Sequence, residues 1–184
     1  YIASAKSILY QHATPVFAEI DKKTFTIDLE DVRKKITGKT KAIIAVDYAG
    51  QGPDYEKLKQ IVQGTNIKII EDAAPGFGGK QKGKMLCGFG DIGITSFHTA
   101  KIFTSCEGGM LFTDNDDYAR EARIVLNQGE DPNKKYHHPR LGHNYRMSDV
   151  HASIGIAQLN RFEQVLNKRE RLAENYTQGL SVIS

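Results

Sequence analysis

The sequence has few of the residues that mark secreted or metal-held proteins. Its 184 residues include two cysteines and no tryptophan, and Cys87 and Cys106 form neither a CxxC pair nor a Cys/His spacing typical of zinc sites. We therefore expect no metal, a reducing compartment and a cytoplasmic location. Apolar runs that approach the length of a membrane span are absent, and the N-terminus shows no signal-peptide pattern, so we expect no membrane partner.

A strong excess of one charge is also lacking. The formal net charge is +3, with Lys and Arg scattered among Asp and Glu, which suits a small anionic ligand and is weak evidence for nucleic acid. Lys134, Lys135 and Arg140 lie in a polar stretch that is more simply a solvated loop, so we expect no nucleic-acid partner. The chain has no initiator Met and opens and stops in mid-pattern, which indicates a fragment of something longer.

Short β-branched runs alternate with amphipathic polar stretches, and this rhythm predicts an α/β fold with a mostly parallel sheet flanked by helices. Strands are predicted at 14–21, at 41–47 and from 67 into a glycine-rich loop that ends at 79, with shorter strands joined by glycine turns between 80 and 112. Helices are predicted at 28–37 with Asp28 as N-cap, after the Gly/Pro turn near 52, at 116–126, and as one long helix from an N-cap at Ser148.

Two acids, Glu71 and Asp72, stand where an apolar strand meets the glycine loop in "IIEDAAPGFGG". In open α/β sheets ligands bind beyond the carboxyl ends of the strands, so these acids are well placed for a ligand. Position alone leaves open whether Asp72 is catalytic or caps the following turn.

One lysine, Lys101, lies among apolar and small residues in "SFHTAKIFTSCEGGM", five positions after Ser96. An amine in a partly dry site whose pKa falls can attack a carbonyl and form a Schiff base. The alternative is a lysine whose stem packs while its ammonium reaches water. Glu107, Gly108 and Gly109 are interpreted as turn and packing residues, and His98 as a packing or hydrogen-bonding histidine.

Three segments in register, "IIEDAAPGFGG", "GDIGITSFHTAKIFTSCEGGM" and "GHNYRMSDVHASIGIAQL", resemble the DegT/DnrJ/EryC1/StrS family of sugar aminotransferases, fold type I enzymes that use pyridoxal phosphate. The resemblance covers essentially the whole chain. It implies the central part of the large cofactor-binding domain at 1–165, and at 166–184 a helix leading toward a smaller C-terminal domain. It also implies amine transfer from an amino acid, usually glutamate, to a keto sugar, nucleotide-linked, for amino-sugar and polysaccharide or lipopolysaccharide biosynthesis.

The resemblance implies a role for each matching residue. Lys101 matches the Schiff-base lysine, which also shuttles a proton, and Asp72 matches the aspartate that pairs with the pyridine nitrogen of pyridoxal 5′-phosphate. Ser96 matches a serine that bonds the cofactor phosphate, and Asn144 matches an asparagine that reaches the phosphate of the neighbouring subunit. Tyr1 aligns with an aromatic position that stacks on the ring. These positions imply a homodimer with shared active sites.

The chain departs from the family pattern at Pro75, where the family usually has Gln or His three residues after the aspartate. The family's phosphate-binding turn falls before residue 1. These departures keep open a catalytically silent homologue or fragment that serves as a dimerisation or regulatory module. Some relatives are sugar dehydratases with His in place of the lysine. Lys101 argues against a dehydratase here.

Overall fold

The computed structural model of the protein describes residues 1–183. Its main sheet has four strands, β1 (Ala42–Val46), β2 (Lys68–Asp72), β5 (Ile92–Ser96) and β6 (Gly109–Phe112), in the order β1-β2-β5-β6. β1, β2 and β5 run parallel, with Val46 opposite Asp72 and Asp72 opposite Ile94. The predicted mostly parallel α/β sheet is therefore confirmed, and β1 and β2 place their carboxyl ends at one edge.

Two very short strands form a separate antiparallel hairpin, β3 (Lys80–Gln81) and β4 (Lys84–Met85). The turn between them has positive φ at both Lys82 and Gly83, the backbone conformation of tight two-residue hairpin turns. The prediction of short strands joined by glycine turns is confirmed here.

Six helices accompany the sheet among residues 1–183: α1 (Ile2–Leu9), α2 (Leu29–Lys35), α3 (Tyr55–Val62), α4 (Asp116–Leu126), α5 (Asp149–Leu159) and α6 (Phe162–Leu180). Side-chain caps start four of them, and two were predicted: Asp28 accepts the N–H groups of Glu30 and Asp31, and Ser148 accepts that of His151. These bonds satisfy backbone donors that have no partner within a helix. None of these helices is long and apolar enough to cross a membrane.

The chain forms two compact units. One comprises Tyr1–Thr95 and Met110–Arg146, and the other comprises Ser96–Gly109 and the chain from Met147 onward. The first has an apolar core in which residues of α2, β1, α3 and β2 meet: Leu29, Val32, Ile43, Ala45, Tyr55, Leu58, Ile67 and Ile69. In the second unit, the ring of Phe103 packs edge-on against those of Phe97 and Phe162.

The predicted strand at 14–21 is wrong. Only Ile20 forms a bridge, with Ile27, while Val16 and Phe17 are 69% and 72% exposed. Side chains of α2 take the place of a neighbouring strand, because Lys35 Nζ donates to the Phe17 carbonyl at 2.8 Å and the Asp31 carboxylate accepts the Glu19 N–H at 2.7 Å. The segment is therefore extended without belonging to the sheet.

The single long helix predicted from Ser148 is two helices. Arg161, with φ −115° and ψ 4°, lies outside the helical region and separates α5 from α6. Phe162 then lies with its ring centroid 6.0 Å from that of Phe103, in an edge-on arrangement. This aromatic contact favours the change of direction over a continuous helix. The predicted domain boundary at residue 165 falls inside α6 and stays a prediction.

Candidate active site

Asp72 is the last residue of β2, and only 7% of it is exposed. Ser4 Oγ donates to its Oδ2 at 2.6 Å, and the Ala74 N–H donates to its Oδ1 at 3.1 Å. The second bond is the turn cap that the sequence allowed. Both carboxylate oxygens are thus fixed, and each keeps a lone pair for a further donor.

Ser4 is a site residue that sequence reasoning missed. It lies in α1, and its partner is 68 positions away along the chain. A serine near a helix start is ordinarily a cap or a surface residue, so no local signal marked it. The contact of Ser4 with Asp72 could have been predicted only if α1 were known to reach the carboxyl end of β2.

Glu71 is fully buried and has a structural role. Its Oε1 accepts the backbone N–H of Cys87, and its Oε2 accepts those of Phe89 at 2.6 Å and Gly90 at 3.1 Å. The carboxylate therefore satisfies three backbone donors of the segment that leads into β5, of which the Cys87 N–H is buried and the other two are partly buried. Bonds of this kind to an ionised acceptor are about twice as strong as neutral ones.

Asp47 follows β1 and is also fully buried. Its Oδ1 accepts the hydroxyl of Tyr55 at 2.6 Å, and its backbone N–H donates to the Asp72 carbonyl at 3.0 Å. Burial raises the pKa of Asp47 to about 8; the Tyr55 hydrogen bond opposes this shift, and the charges of Glu71 and Asp72 add to it. The protonated carboxyl is thus the favoured form at neutral pH.

Neither of the two other titratable groups in this region supplies a nucleophile at neutral pH. Burial, together with the smaller effect of the nearby carboxylates, raises the pKa of the Cys87 thiol to about 12. Burial likewise raises the pKa of the Tyr55 hydroxyl above its ordinary value, and Asp47 contributes to the shift. The thiol of Cys87 and the phenol of Tyr55 are therefore both neutral here.

Lys101 lies in the second unit, in the loop between β5 and β6, and is partly buried. Its backbone N–H donates to the His98 carbonyl at 2.9 Å, whereas its Nζ makes no hydrogen bond or ion pair with any of residues 1–183. The amine is thus not engaged by another described side chain, and the reactivity of Lys101 stays a prediction.

Hydrogen bonds close the neck of the loop that carries Lys101. The Phe97 N–H donates to the Gly108 carbonyl at 2.9 Å, and the Phe97 carbonyl accepts the Ser105 N–H at 3.0 Å. Gly108 has φ +149°, and a Cβ there would lie 2.6 Å from the Met147 methyl group. The positive φ is a backbone conformation that residues with a side chain rarely adopt, so this position favours glycine.

His98 faces the end of this loop. Its Nδ1 accepts the Ala100 N–H at 3.2 Å, and its Nε2 lies 3.7 Å from Glu107 Oε1, with both side chains exposed. These contacts agree with a hydrogen-bonding histidine.

The remaining predicted residues have few contacts of their own. Ser96 ends β5, and its Oγ accepts the His98 N–H at 3.3 Å. Tyr1 precedes α1 and is 99% exposed. Asn144 is exposed and accepts a bond from Arg146 Nε at 3.0 Å through its Oδ1. Tyr1, Asp72 and Asn144 belong to the first unit, and Ser96 and Lys101 belong to the second.

The mostly parallel sheet flanked by helices is the fold of fold type I sugar aminotransferases. Over 98% of its length the chain superposes on PseC of Helicobacter pylori, an aminotransferase involved in the biosynthesis of pseudoaminic acid, with a TM-score of 0.92, 28% identity and 49% of that chain covered. The sugar aminotransferase Spr1654 of Streptococcus pneumoniae in its PLP form gives a TM-score of 0.91 and 31% identity, over 98% of this chain and 52% of that one.

Sequence comparison agrees with the fold. A GDP-perosamine synthase of Caulobacter vibrioides is 42% identical over 181 residues, which is 98% of this chain and 49% of the relative. Residues 1–184 match the DegT/DnrJ/EryC1/StrS aminotransferase family, and the chain belongs to that family. Pyridoxal phosphate is the cofactor that this membership indicates. The chain spans about half the length of the curated relatives that it matches.

Proposed function

We propose that the complete protein is a pyridoxal-phosphate-dependent aminotransferase that moves an amino group from an amino acid, usually glutamate, to a nucleotide-linked keto sugar. The names of relatives support the sugar class, since they include a GDP-perosamine synthase and a UDP-2-acetamido-2-deoxy-3-oxo-D-glucuronate aminotransferase. The product would be an amino sugar for a cell-surface polysaccharide such as lipopolysaccharide, made in the cytoplasm.

The proposal assigns Lys101 two roles. Its Nζ would hold the cofactor and, once released, would act as the base that moves a proton from the substrate carbon to the cofactor. The observation that supports these roles is the unpaired Nζ in a loop whose neck is fixed by the bonds of Phe97 to Ser105 and Gly108. An amine already committed to an ion pair would have to break it before reacting.

Asp72 is proposed to hold the proton on the pyridine nitrogen. When bound, pyridoxal phosphate acts as an electron sink for the substrate carbanion, and a protonated ring nitrogen strengthens that sink. The buried carboxylate of Asp72, fixed by Ser4 and by the backbone of Ala74, is the observation that carries this assignment. The residues present therefore fit the cofactor.

Three further residues are proposed to contact the cofactor. Ser96 donates its hydroxyl to the phosphate, the ring of Tyr1 stacks on the pyridine, and Asn144 reaches the phosphate bound in a second copy of the chain. The amide nitrogen of Asn144 makes no hydrogen bond to residues 1–183, which leaves it free to donate. The active enzyme would then be a homodimer, with residues 1–165 in the cofactor domain and 166–184 leading toward the smaller domain.

The test is the absorbance of the purified complete protein with pyridoxal phosphate, before and after borohydride, followed by peptide mapping of the reduced adduct. We expect a phosphopyridoxyl group on Lys101 in the wild type and none in Lys101→Ala. Lys39→Ala is the matched control, because Lys39 is exposed and lies between α2 and β1, away in sequence from the loop that carries Lys101.

Two results would contradict the proposal. An adduct at another lysine would remove Lys101 from its role. An unmodified complete protein would favour the catalytically silent homologue. If Lys101 is labelled, amine transfer from glutamate to GDP- and UDP-linked keto sugars is the next assay.

A further inference from the structure

Three carboxyl groups are buried at the carboxyl ends of β1 and β2, and they are supplied unequally with hydrogen-bond donors. Glu71 accepts three backbone N–H groups, and Asp72 accepts one hydroxyl and one N–H. Asp47 accepts only the Tyr55 hydroxyl, and its Oδ2 is the one buried side-chain oxygen or nitrogen in residues 1–183 without a partner. A buried polar atom without a partner is costly, so this oxygen requires an explanation.

Strand register explains why the problem arises. Ala45 lies opposite Glu71, and Asp47 is two residues further along the chain, so the side chains of Asp47 and Glu71 leave on the same face of the sheet. The charges of Glu71 and Asp72 both act on Asp47, so three ionised carboxylates buried here would repel one another. A proton shared within the cluster removes one of these charges.

We propose that Asp47 carries a proton on Oδ2 and donates it to Glu71, which makes Asp47 a neutral positioning residue behind Asp72. The number of hydrogen bonds that each carboxyl group accepts indicates which group is protonated. The carboxyl that accepts the fewest is the one whose ionised form is least stabilised. Glu71 has acceptor capacity left, since an ionised carboxylate offers about four lone-pair sites and three are used. The orphan oxygen then has a partner.

The groups that face Asp47 agree with this assignment. Tyr55, Glu71, Asp72 and Cys87 are the titratable neighbours that shift its pKa or respond to its charge. The thiol and the phenol are neutral, and the other two are carboxyl groups, so no member of this set supplies a compensating positive charge. The raised pKa of Asp47 is a consequence of the same geometry.

The proton on Asp47 also bears on Asp72. With Asp47 neutral, the cluster holds the charges of Glu71 and Asp72 only, and Glu71 is occupied by backbone donors. Asp72 is then the carboxylate left for a cationic partner. That it meets the pyridine nitrogen of the cofactor rests on the proposed function, whereas the protonation of Asp47 does not.

The test is infrared spectroscopy of the complete protein without cofactor, at a pH midway between the ordinary value of 3.8 and the raised value of about 8. We expect the C=O stretch of one protonated carboxyl in the wild type and its loss in Asp47→Asn, whose amide keeps the bonds to Tyr55 and Glu71. Asp114→Asn is the matched control, since Asp114 is exposed and lies between β6 and α4. This variant should keep the band.

A second variant keeps the test decisive if Asp47→Asn fails to fold. Tyr55→Phe removes a donor that favours the ionised form of Asp47, so the pH at which the band disappears should rise. A wild type with no protonated carboxyl, a band that survives in Asp47→Asn, or a midpoint that falls in Tyr55→Phe would each overturn the proposal. Cofactor absorbance is measured separately, so a failed aminotransferase assignment leaves this result intact.

Discussion

Replacing Glu71 with glutamine should destabilise the complete protein severely, although the change exchanges one oxygen for an amide group. The carboxylate is fully buried and accepts the N–H groups of Cys87, Phe89 and Gly90. Glutamine keeps one acceptor oxygen and turns an NH₂ group toward the donors that the other oxygen served. At least one buried N–H then faces another donor.

The size of the loss follows from those contacts. Hydrogen bonds to a charged acceptor contribute roughly 1.5–3 kcal/mol each, and a buried donor left without a partner costs about 1–3 kcal/mol. If the glutamine carbonyl retains Phe89 and Gly90 with weaker, neutral bonds and Cys87 loses its acceptor, the total is about 3–5 kcal/mol. Domains are stable by only about 5–15 kcal/mol, so Glu71→Gln should unfold at much lower urea.

The assay is urea unfolding of the complete protein at one fixed protein concentration, with Glu56→Gln as control. Glu56 pairs with Lys82 at 2.6 Å, but both side chains are about two-thirds exposed, so the exchange there should leave the unfolding midpoint nearly unchanged. Equal midpoints for the two variants would refute the assignment of Glu71 as the acceptor that holds the segment before β5. A larger loss in Glu56→Gln would refute it as well.

Three further changes have expected outcomes. The pKa of folded Asp47, about 8, exceeds its ordinary 3.8, so between these pH values the folded state keeps a proton that the unfolded state releases. Wild-type stability should therefore fall by roughly 1 kcal/mol per pH unit across that range. Asp47→Asn should lack this slope in thermal unfolding, and an unchanged slope would contradict the protonation of Asp47. Gly108→Ala would place a Cβ 2.6 Å from a methionine methyl, so it should lower the melting temperature and reduce the amount of cofactor trapped by borohydride. Gly38→Ala is the control, because nothing lies within 4 Å of a Cβ added there, and it should change neither quantity. Ser4→Ala removes a donor from Asp72 and should weaken cofactor binding several-fold by absorbance titration, on the scale of about 1 kcal/mol for one hydrogen bond; equal affinity would show that Ser4 does not position the acid.

The local features of the fold could be read from the sequence because they depend on neighbouring residues. Asp28 and Ser148 cap the helices that follow them, and α4 begins and ends at Asp116 and Leu126 as predicted. The apolar run in 41–47 forms β1, in which Ile43 and Ala45 are buried and Ile44 and Val46 are partly exposed. Caps and buried strands are encoded within a few positions.

Features that depend on distant residues were not predictable. The segment 14–21 has the composition of a strand, but α2 supplies its hydrogen-bond partners through Lys35 and Asp31. The contact of Ser4 with Asp72 joins positions 68 residues apart. Asp47 attracted no attention because an acid after a strand is common, and its missing partner becomes visible only when its neighbours are known.

The two adjacent acids of "IIEDAA" are chemically similar in the sequence. In the structure they differ in how many hydrogen-bond acceptor sites each carboxylate has left. Glu71 accepts three backbone donors, which leaves one of about four acceptor sites, the one proposed to accept Asp47. Asp47, with a single donor, is the acid best suited to be neutral. Asp72 combines a buried carboxylate, two fixing bonds and unused lone pairs, so a cation at the carboxyl end of β2 would meet its charge first. Donor supply, more than proximity, therefore distinguishes Asp72, the acid proposed to meet a protonated ring nitrogen, from the acids that support the fold around it.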